Sequence, residues 1–422
     1  MGQLSGDCFA HGDAPMTVAA AEALIAARVA AVADAETVPL AAACGRVLAA
    51  DLRAAMPVPP HDNAAVDGYA VHFADLRGDG ETVLPVRGRA AAGHSLGRPQ
   101  PRGEAVRIFT GAMMPTGPDG GPDTVLMQED CVEDGGDVRI PRGIAQGANR
   151  RHAGEDVAAG AVALPAGRRM RPQDVGMAAA IGLAEVPVRR ALRAALFSTG
   201  DEIRPPGTPL PPGSVYDSNR YIVAALLAGL GVAVDDLGIL PDRLDAVAAA
   251  LAAAGRGHDL VVTTGGMSVG EEDHVRAAVA AAGRIDFWRL AIRPGRPVAL
   301  GRVGEAIFIG LPGNPVAVMV TFMTLARTIV LARAGATPEP PRAFPVRAAF
   351  DHRKKPGRRE YLRARLSPGA DGFPEVRKFP RESTGILSSM VDSDGLVVLP
   401  EAMTDLAAGT LVDFVPFSEM TR

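Results

Sequence analysis

Lysine is almost missing from these 422 residues: it stands only at 354, 355 and 378, so 41 of the 44 basic side chains are arginine. Alanine is abundant as well, and the bias reads as drift in overall composition, so each arginine has to be judged by its neighbours. A basic excess is lacking too. The formal net charge is −4, whereas a protein that neutralises many phosphates carries a clear positive surplus; nucleic acid is not an expected partner. Cysteine occurs only at Cys8, Cys44 and Cys131, an odd and scattered set that argues against a disulfide framework and against a zinc site, and that fits a reducing cytosol. No apolar stretch reaches membrane-span length without Gly, Pro, Arg or Thr breaking it. The first residues, MGQLSGDCFAHGDAPM, lack the basic and apolar regions of a signal peptide, and Gly6 sits where a myristoylation pattern wants Ser or Thr. The expectation is a cytoplasmic protein with no membrane contact.

What is present suggests several domains, because a chain of 422 residues is too long for one compact core. Residues 17–52 are rich in alanine and leucine at helical spacing, with Thr17 as a plausible N-cap and Glu22 in the first turns. From 53 to 149 proline and glycine crowd between short apolar runs such as AVRIFTG and TVLMQED, which predicts a β-rich insertion. Residues 150–188 end in a helix and a strand. The segments 16–52 and 150–188 are therefore expected to pack together as one discontinuous linker and dimerisation domain. From 189 to 335 strands and helices alternate, which predicts an α/β domain with a mostly parallel sheet. Within it, Asp242 and Asp245 have capping-box spacing, and the last helix has Asn314 as N-cap, Pro315 in its first turn and Gly335 as C-cap. Beyond a proline-rich linker, residues 342–422 read as a small β domain. The fold class is α/β plus β-rich domains in one multidomain chain.

Ligands of open parallel α/β sheets bind beyond the carboxyl ends of the strands. Three loops leave such ends: Thr199-Gly200-Asp201-Glu202, the run from Gly265 to Asp273, and Leu311-Pro312-Gly313-Asn314-Pro315. Their glycines let backbone approach a ligand, and the helix start at Asn314 favours an anion. Acids on an anion-binding rim repel each other and the ligand unless a divalent cation lies between them, and Mg²⁺ takes oxygen ligands of this kind. Glu271 and Glu272 could equally serve the start of the next helix. Asp217, in VYDSNR, could be simple N-cap material, the Asp67-Gly68 pair a hairpin turn, and Glu155 and Asp156 a surface loop.

Taken in order, DNAAVDGYA, RIFTGAMMP, VLMQED, AGEDV, LFSTGDEI, YDSNR, TTGGMSVGEEDH, FWRLAIRPGRP and LPGNPVA resemble the molybdopterin molybdenumtransferase family, the MoeA proteins and the gephyrin E domain, from about residue 16 to the C-terminus. The resemblance implies an elongated four-domain homodimer that inserts molybdate into adenylylated molybdopterin and releases AMP with Mg²⁺ assistance. It implies catalytic roles for Asp67, Thr110, Asp156, Glu202, Asp217 and Asp273, with Glu202 and Asp273 holding the metal. Substrate contacts are implied for Gly265, Gly266, Ser268, Arg289, Arg293, Arg296, Pro312, Gly313, Asn314, Arg358 and Thr384. The cleft would be shared between subunits, the insertion domain of one reaching the α/β domain of the other, and an adenylyltransferase and molybdoenzymes are possible partners.

The chain departs from the family by carrying Arg289, Arg293 and Arg296 where lysines are common, a change that suits oxyanion binding but not a role for a neutral amine. Thr384 stands where the family has a serine. Two other readings have the same residues in view. One is the related adenylyltransferase step, which the long N-terminal part disfavours; the other is a non-catalytic scaffold of the gephyrin kind, which the intact acids at 67, 202, 217 and 273 disfavour.

Overall fold

The computed structural model describes residues 15–32, 34–265, 275, 277–279, 283–295 and 297–421. The helix Val18–Arg28 opens at Thr17, whose hydroxyl accepts the Ala20 N–H at 3.2 Å. It does not run on toward residue 52. The β-branched Thr37 and Val38, followed by Pro39, favour extended backbone, and Ala35–Pro39 pairs antiparallel with Glu185–Arg189, Val38 opposite Val186. Val38, Leu48 and Leu52 share a core with Leu164, Met170, Ile181 and Val188, so the chain on either side of the β insertion closes one cluster. The helix itself packs elsewhere: Val18, Ala21 and Ile25 are buried against the α/β domain.

The insertion carries a six-stranded sheet in the order Thr124–Met127, Gly68–Val71, Ala105–Ile108, Thr82–Ala90, Asp137–Ile140, Val132–Asp134. Side chains alternate across a strand. Ala70, Val106 and Val125 accordingly fill one cluster, and Tyr69, Val71 and Leu126 the other.

In the α/β domain the strand order is Ala233–Leu240, Arg193–Thr199, Leu260–Thr264, Ala306–Leu311, Pro297–Val303, Gly283–Arg289. The first four are parallel and the last two antiparallel. Gly283–Arg289 lies in a stretch where the sequence drew notice only to its arginines. Both faces are covered, with Leu196, Val262 and Ile309 on one side and Phe197, Val261 and Phe308 on the other. The capping box expected at 242 and 245 does not form: helix Leu244–Gly257 has Arg243 at its cap, and Asp245 pairs with Arg243 instead. The helical run from Pro315 to Arg333 contains a π-helical turn at Phe322–Ala326. Asn314 holds its N-cap position without a side-chain bond, and Gly335, at φ +79°, follows the Ala334 cap. By length and hydropathy this run passes for a bilayer-crossing helix, but Thr321, Thr324, Arg327 and Thr328 interrupt it, as expected from the sequence; 67% of its apolar window is buried within the protein, and its residues belong to the α/β core.

The C-terminal region is a closed five-stranded barrel: Arg359–Pro368, Pro374–Lys378, Phe344–Ala348, Leu411–Pro416 and Gly395–Leu399, the last pairing back onto the first. Closure removes exposed strand edges. Where Arg359 and Glu360 leave the barrel, Ile292–Arg293 of the α/β domain adds alongside in parallel, so the two domains share main-chain hydrogen bonds.

Candidate active site

Three turns were expected on one rim, and the described parts of them do share an edge. Ser198 lies opposite Thr264, and Thr264 opposite Leu311, in adjacent parallel strands. Ser198 and Thr264 join hydroxyls at 3.0 Å. Beyond them the turns touch. The Gly265 N–H donates to the Leu311 carbonyl at 3.3 Å, and at φ +84° a Cβ on Gly265 would stand 2.9 Å from the Thr199 carbonyl oxygen, so only glycine fits between its neighbours. Asn219, opening helix Asn219–Gly229, donates its amide to the Gly313 carbonyl at 2.6 Å. Sequence reasoning noted Asn219 only as a helix start. Its role in tying YDSNR to LPGNP depends on a contact between residues 94 positions apart.

The other predicted residues take different positions. Glu202 is exposed, and its carboxylate folds back onto Gly200, where a Cβ would lie 2.6 Å from Oε2. Asp217 is 3% exposed and committed: it accepts from the Arg220 N–H at 3.2 Å and from Arg220 Nε at 3.0 Å, and Arg220 in turn pairs with Asp236. That is an ion pair serving the first turn of a helix. Pro312 is buried, while Gly313 and Asn314 are exposed at the rim. The carbonyl of Thr384, on a barrel loop, accepts the Val316 N–H at 3.1 Å, which brings that loop to the helix start behind Asn314. Gly266, Ser268, Asp273 and Arg296, with Glu271 and Glu272, lie outside the described residues.

Arg293 was expected to face an anion, but acids hold it on two sides, Glu360 at 3.3 Å and Glu382 at 3.1 Å. Glu360 also accepts from His352 Nε2 at 2.9 Å, and Lys378 bridges His352 Nδ1 at 3.2 Å and Glu382 at 3.0 Å. Since the ammonium donates, His352 carries its proton on Nε2. Burial pushes Glu382 up; the bond from Lys378 and the charges of Lys378 and Arg293 overcome it and hold the carboxyl below its ordinary value. Arg358 lines a basin of about 530 Å³ with Arg293, Arg353, Lys354, Lys355 and Glu360. Lys354 is 8% exposed and its ammonium donates to the Arg358 carbonyl at 2.7 Å, with the Lys355 and Glu401 carbonyls at 3.4 and 3.5 Å. A compact donor of three hydrogen bonds suits converging carbonyls better than a planar guanidinium does. All three lysines of the chain therefore sit beside this basin or in the network that supports it. Arg289 is exposed at the end of its strand, and its carbonyl accepts the Met16 N–H at 2.8 Å.

In the insertion domain Asp67 and Thr110 meet, although 43 residues separate them. One Asp67 oxygen accepts both the Thr110 N–H at 2.8 Å and its hydroxyl at 2.7 Å. Those two bonds, with Arg107 nearby, hold the Asp67 carboxyl below the usual range, so it is ionised at neutral pH. Arg107 also donates to the Gly68 carbonyl at 3.2 Å and lies over the rings of Tyr69 and Phe109, each 4.9 Å from its centroid. Asp156 is exposed in the neighbouring turn, its N–H bonded to the Val58 carbonyl at 3.0 Å. Asp67 and Thr110 bond each other, and among the described residues neither bonds the α/β rim of its own chain.

Among the described residues no group of three or more His, Cys, Asp or Glu side chains could hold a metal. The rim does offer hard oxygen donors. Besides the exposed Glu202 carboxylate, Thr199 Oγ1 and Asn219 Oδ1 are buried oxygens with no hydrogen-bond partner among the described residues. That chemistry fits a cation that takes one or two carboxylates and keeps its remaining positions for water and phosphate.

Comparison with known proteins agrees along the whole chain. Residues 16–182 match the MoeA N-terminal region (domain I and II), residues 195–332 the probable molybdopterin binding domain, and residues 345–417 the MoeA C-terminal region (domain IV). The molybdopterin molybdenumtransferase of Haemophilus influenzae is 36% identical over 387 residues, covering 91% of this chain and 94% of that one. Molybdopterin molybdenumtransferase 2 of Mycobacterium tuberculosis is 35% identical over 385 residues, covering 89% and 93%. The crystal structure of the molybdopterin biosynthesis MoeA protein from Pyrococcus horikoshii superposes with a TM-score of 0.80 at 27% identity, over 96% of this chain and all of that one. Three consecutive domain matches and near-complete coverage leave one assignment: this chain belongs to the molybdopterin molybdenumtransferase, or MoeA, family of enzymes.

Proposed function

We propose that the protein inserts molybdenum from molybdate into adenylylated molybdopterin, releasing AMP, in molybdenum cofactor biosynthesis. One observation carries this reading beyond family membership: the turns bearing Glu202, Gly265 and Gly313 meet at one edge of the sheet, with Asn219 bonded to the last of them. The substrate contains a pyrophosphate link, and breaking it while an oxyanion delivers the metal gathers negative charge in one place. Fixed donors and cations stabilise such charge. The glycine turns let the pyrophosphate approach the backbone, Asn219 anchors the one at Gly313, and Arg358 with Lys355 in the adjoining basin supplies positive charge for the incoming oxyanion.

Glu202 and Asp273 are proposed to hold Mg²⁺, whose chemistry when bound is to offset charge on the phosphate oxygens. Asp67, held by Thr110, acts as the acceptor that the insertion domain brings to the reacting group. Asp217 acts indirectly, by setting the helix turn that carries Asn219. A homodimer in which Asp67 of one subunit reaches the rim of the other would bring the groups of the two domains to one site. The test is to incubate the purified protein with adenylylated molybdopterin, molybdate and Mg²⁺. AMP should appear, and Glu202→Gln should slow its release by roughly a hundredfold, in the range for lost electrostatic stabilisation. Adenylylated molybdopterin left intact by the wild-type protein would overturn the proposal.

A further inference from the structure

A second cavity, of about 540 Å³, shares no lining residue with the basin at Arg358. Its walls are the turn at Cys44 and Gly45, the segment 167–173, the helix Arg327–Arg333 and the linker at 336–342. Arg168, Arg169, Arg171, Arg327 and Arg342 all line it. Among the described residues, two lining acids, Glu339 and Glu419, stand against them, with Asp174, which Arg168 and Arg171 share. Positive charge remains in excess.

The walls are built rather than incidental. Thr337 donates its N–H to the Gly167 carbonyl at 2.8 Å, pinning the linker to the opposite side. Arg169 donates to the Gly45 carbonyl at 3.1 Å and to the Gly229 carbonyl at 2.8 Å, and among the described residues no carboxylate bonds it. Burial pulls it below the ordinary arginine value, with only the Cys44 thiol opposing. Arg168 Nε is buried and has no hydrogen-bond partner. A half-buried guanidinium bonded to neutral carbonyls is a costly group unless an anion completes it. Pro338, Pro340 and Pro341 stiffen the linker and carry no N–H. Recognition of a polar ligand therefore falls to the arginines, while Pro340, Pro341 and Leu331 offer apolar surface to the remainder of the molecule.

We propose that this cleft binds a small phosphate-bearing molecule of up to mononucleotide size, its phosphate meeting Arg169 and Arg342 and its organic part lying on the proline wall. Planar guanidinium forks match phosphate oxygens two at a time, and the volume falls within the ordinary range for small-ligand sites. Nothing in the argument depends on the reaction at the sheet edge.

Calorimetric titration of the full-length protein with AMP and with inorganic pyrophosphate tests it, and since the sheet-edge site proposed above also takes these groups, two binding events are expected, of which the Arg342 and Arg169 variants weaken one. A double variant of the other basin, Arg353→Ala with Arg358→Ala, should retain binding of these probes, with affinity falling as salt rises. In that background Arg342→Ala and Arg169→Gln should each weaken binding roughly tenfold or more, the usual effect of losing a charged hydrogen bond, and Arg342→Lys should restore part of it. Arg342 is exposed in the linker, so its variant carries the test if Arg169→Gln fails to fold. Loss of all binding in the basin variant, equal binding by the Arg342 variants and their parent, or no binding by the wild-type protein would each overturn the proposal.

Discussion

Thr110 holds the Asp67 carboxyl below its ordinary value, and the two bonds that do so come from different parts of the same residue. Thr110→Val keeps the backbone N–H and removes the hydroxyl. The Asp67 carboxyl then rises toward its ordinary value, because donors to the charged form are what lower it. If Asp67 must be ionised, the acid limb of the kcat/KM profile moves to higher pH, while at neutral pH, where the carboxyl is ionised with or without the hydroxyl, this titration leaves activity in place. A profile unchanged in position would show that Asp67 is not the group titrating there. Asp217 is the contrasting case. Both its oxygens serve Arg220, and it is nearly inaccessible. Asp217→Ala should cost roughly 3 kcal/mol of stability, as expected for breaking a buried pair, measured by urea unfolding. Asp67→Asn keeps an oxygen that can accept from Thr110 and should leave the unfolding midpoint in place.

Strands and turns, more than single side chains, place these groups. Gly68 begins the strand Gly68–Val71, which is flanked by Ala105–Ile108 and Thr124–Met127. A Cβ there would fall 1.6 Å from the Leu126 carbonyl oxygen, an overlap that no rotation relieves because the obstacle is backbone. Gly68→Ala should therefore open the pairing beside Asp67 and destabilise the insertion by roughly 1–3 kcal/mol, the range for overpacking. Faster amide exchange confined to 68–71 and 124–127 would be the signature, and uniform exchange across the molecule would contradict it. The same reasoning explains two departures from expectation. Residues 35–39 have β-branched side chains and a proline that no helix welcomes, and a partner strand was available at 185–189. Helix Leu244–Gly257 begins one turn after a proline, with Arg243 rather than an acid at its cap.

Across the assembled chain, the insertion domain carries Asp67 and Thr110 while the α/β domain carries Glu202, Asn219 and the glycine turns. A site shared by two copies would unite them, and mixing inactive variants tests this. Heterodimers of Asp67→Asn and Glu202→Gln contain one intact composite site. An equal mixture, refolded together, should recover about a quarter of wild-type AMP release. No recovery beyond the two parents would place the whole site within one subunit.

The strand and helix alternation from 189 to 335, the β character of the insertion and the final small β domain follow from residue order alone, because the periodicity of buried side chains and the positions of proline and glycine are local properties. So did the family, since its motifs are short and ordered. Other features required the folded chain. The Asn219 contact with Gly313, the Thr384 carbonyl at the helix start, the commitment of Asp217 to Arg220 and the clasp of Arg293 by Glu360 and Glu382 all depend on which surfaces meet. Sequence spacing records what a residue can bond. Only packing brings together groups tens of residues apart and determines which bond each of them makes.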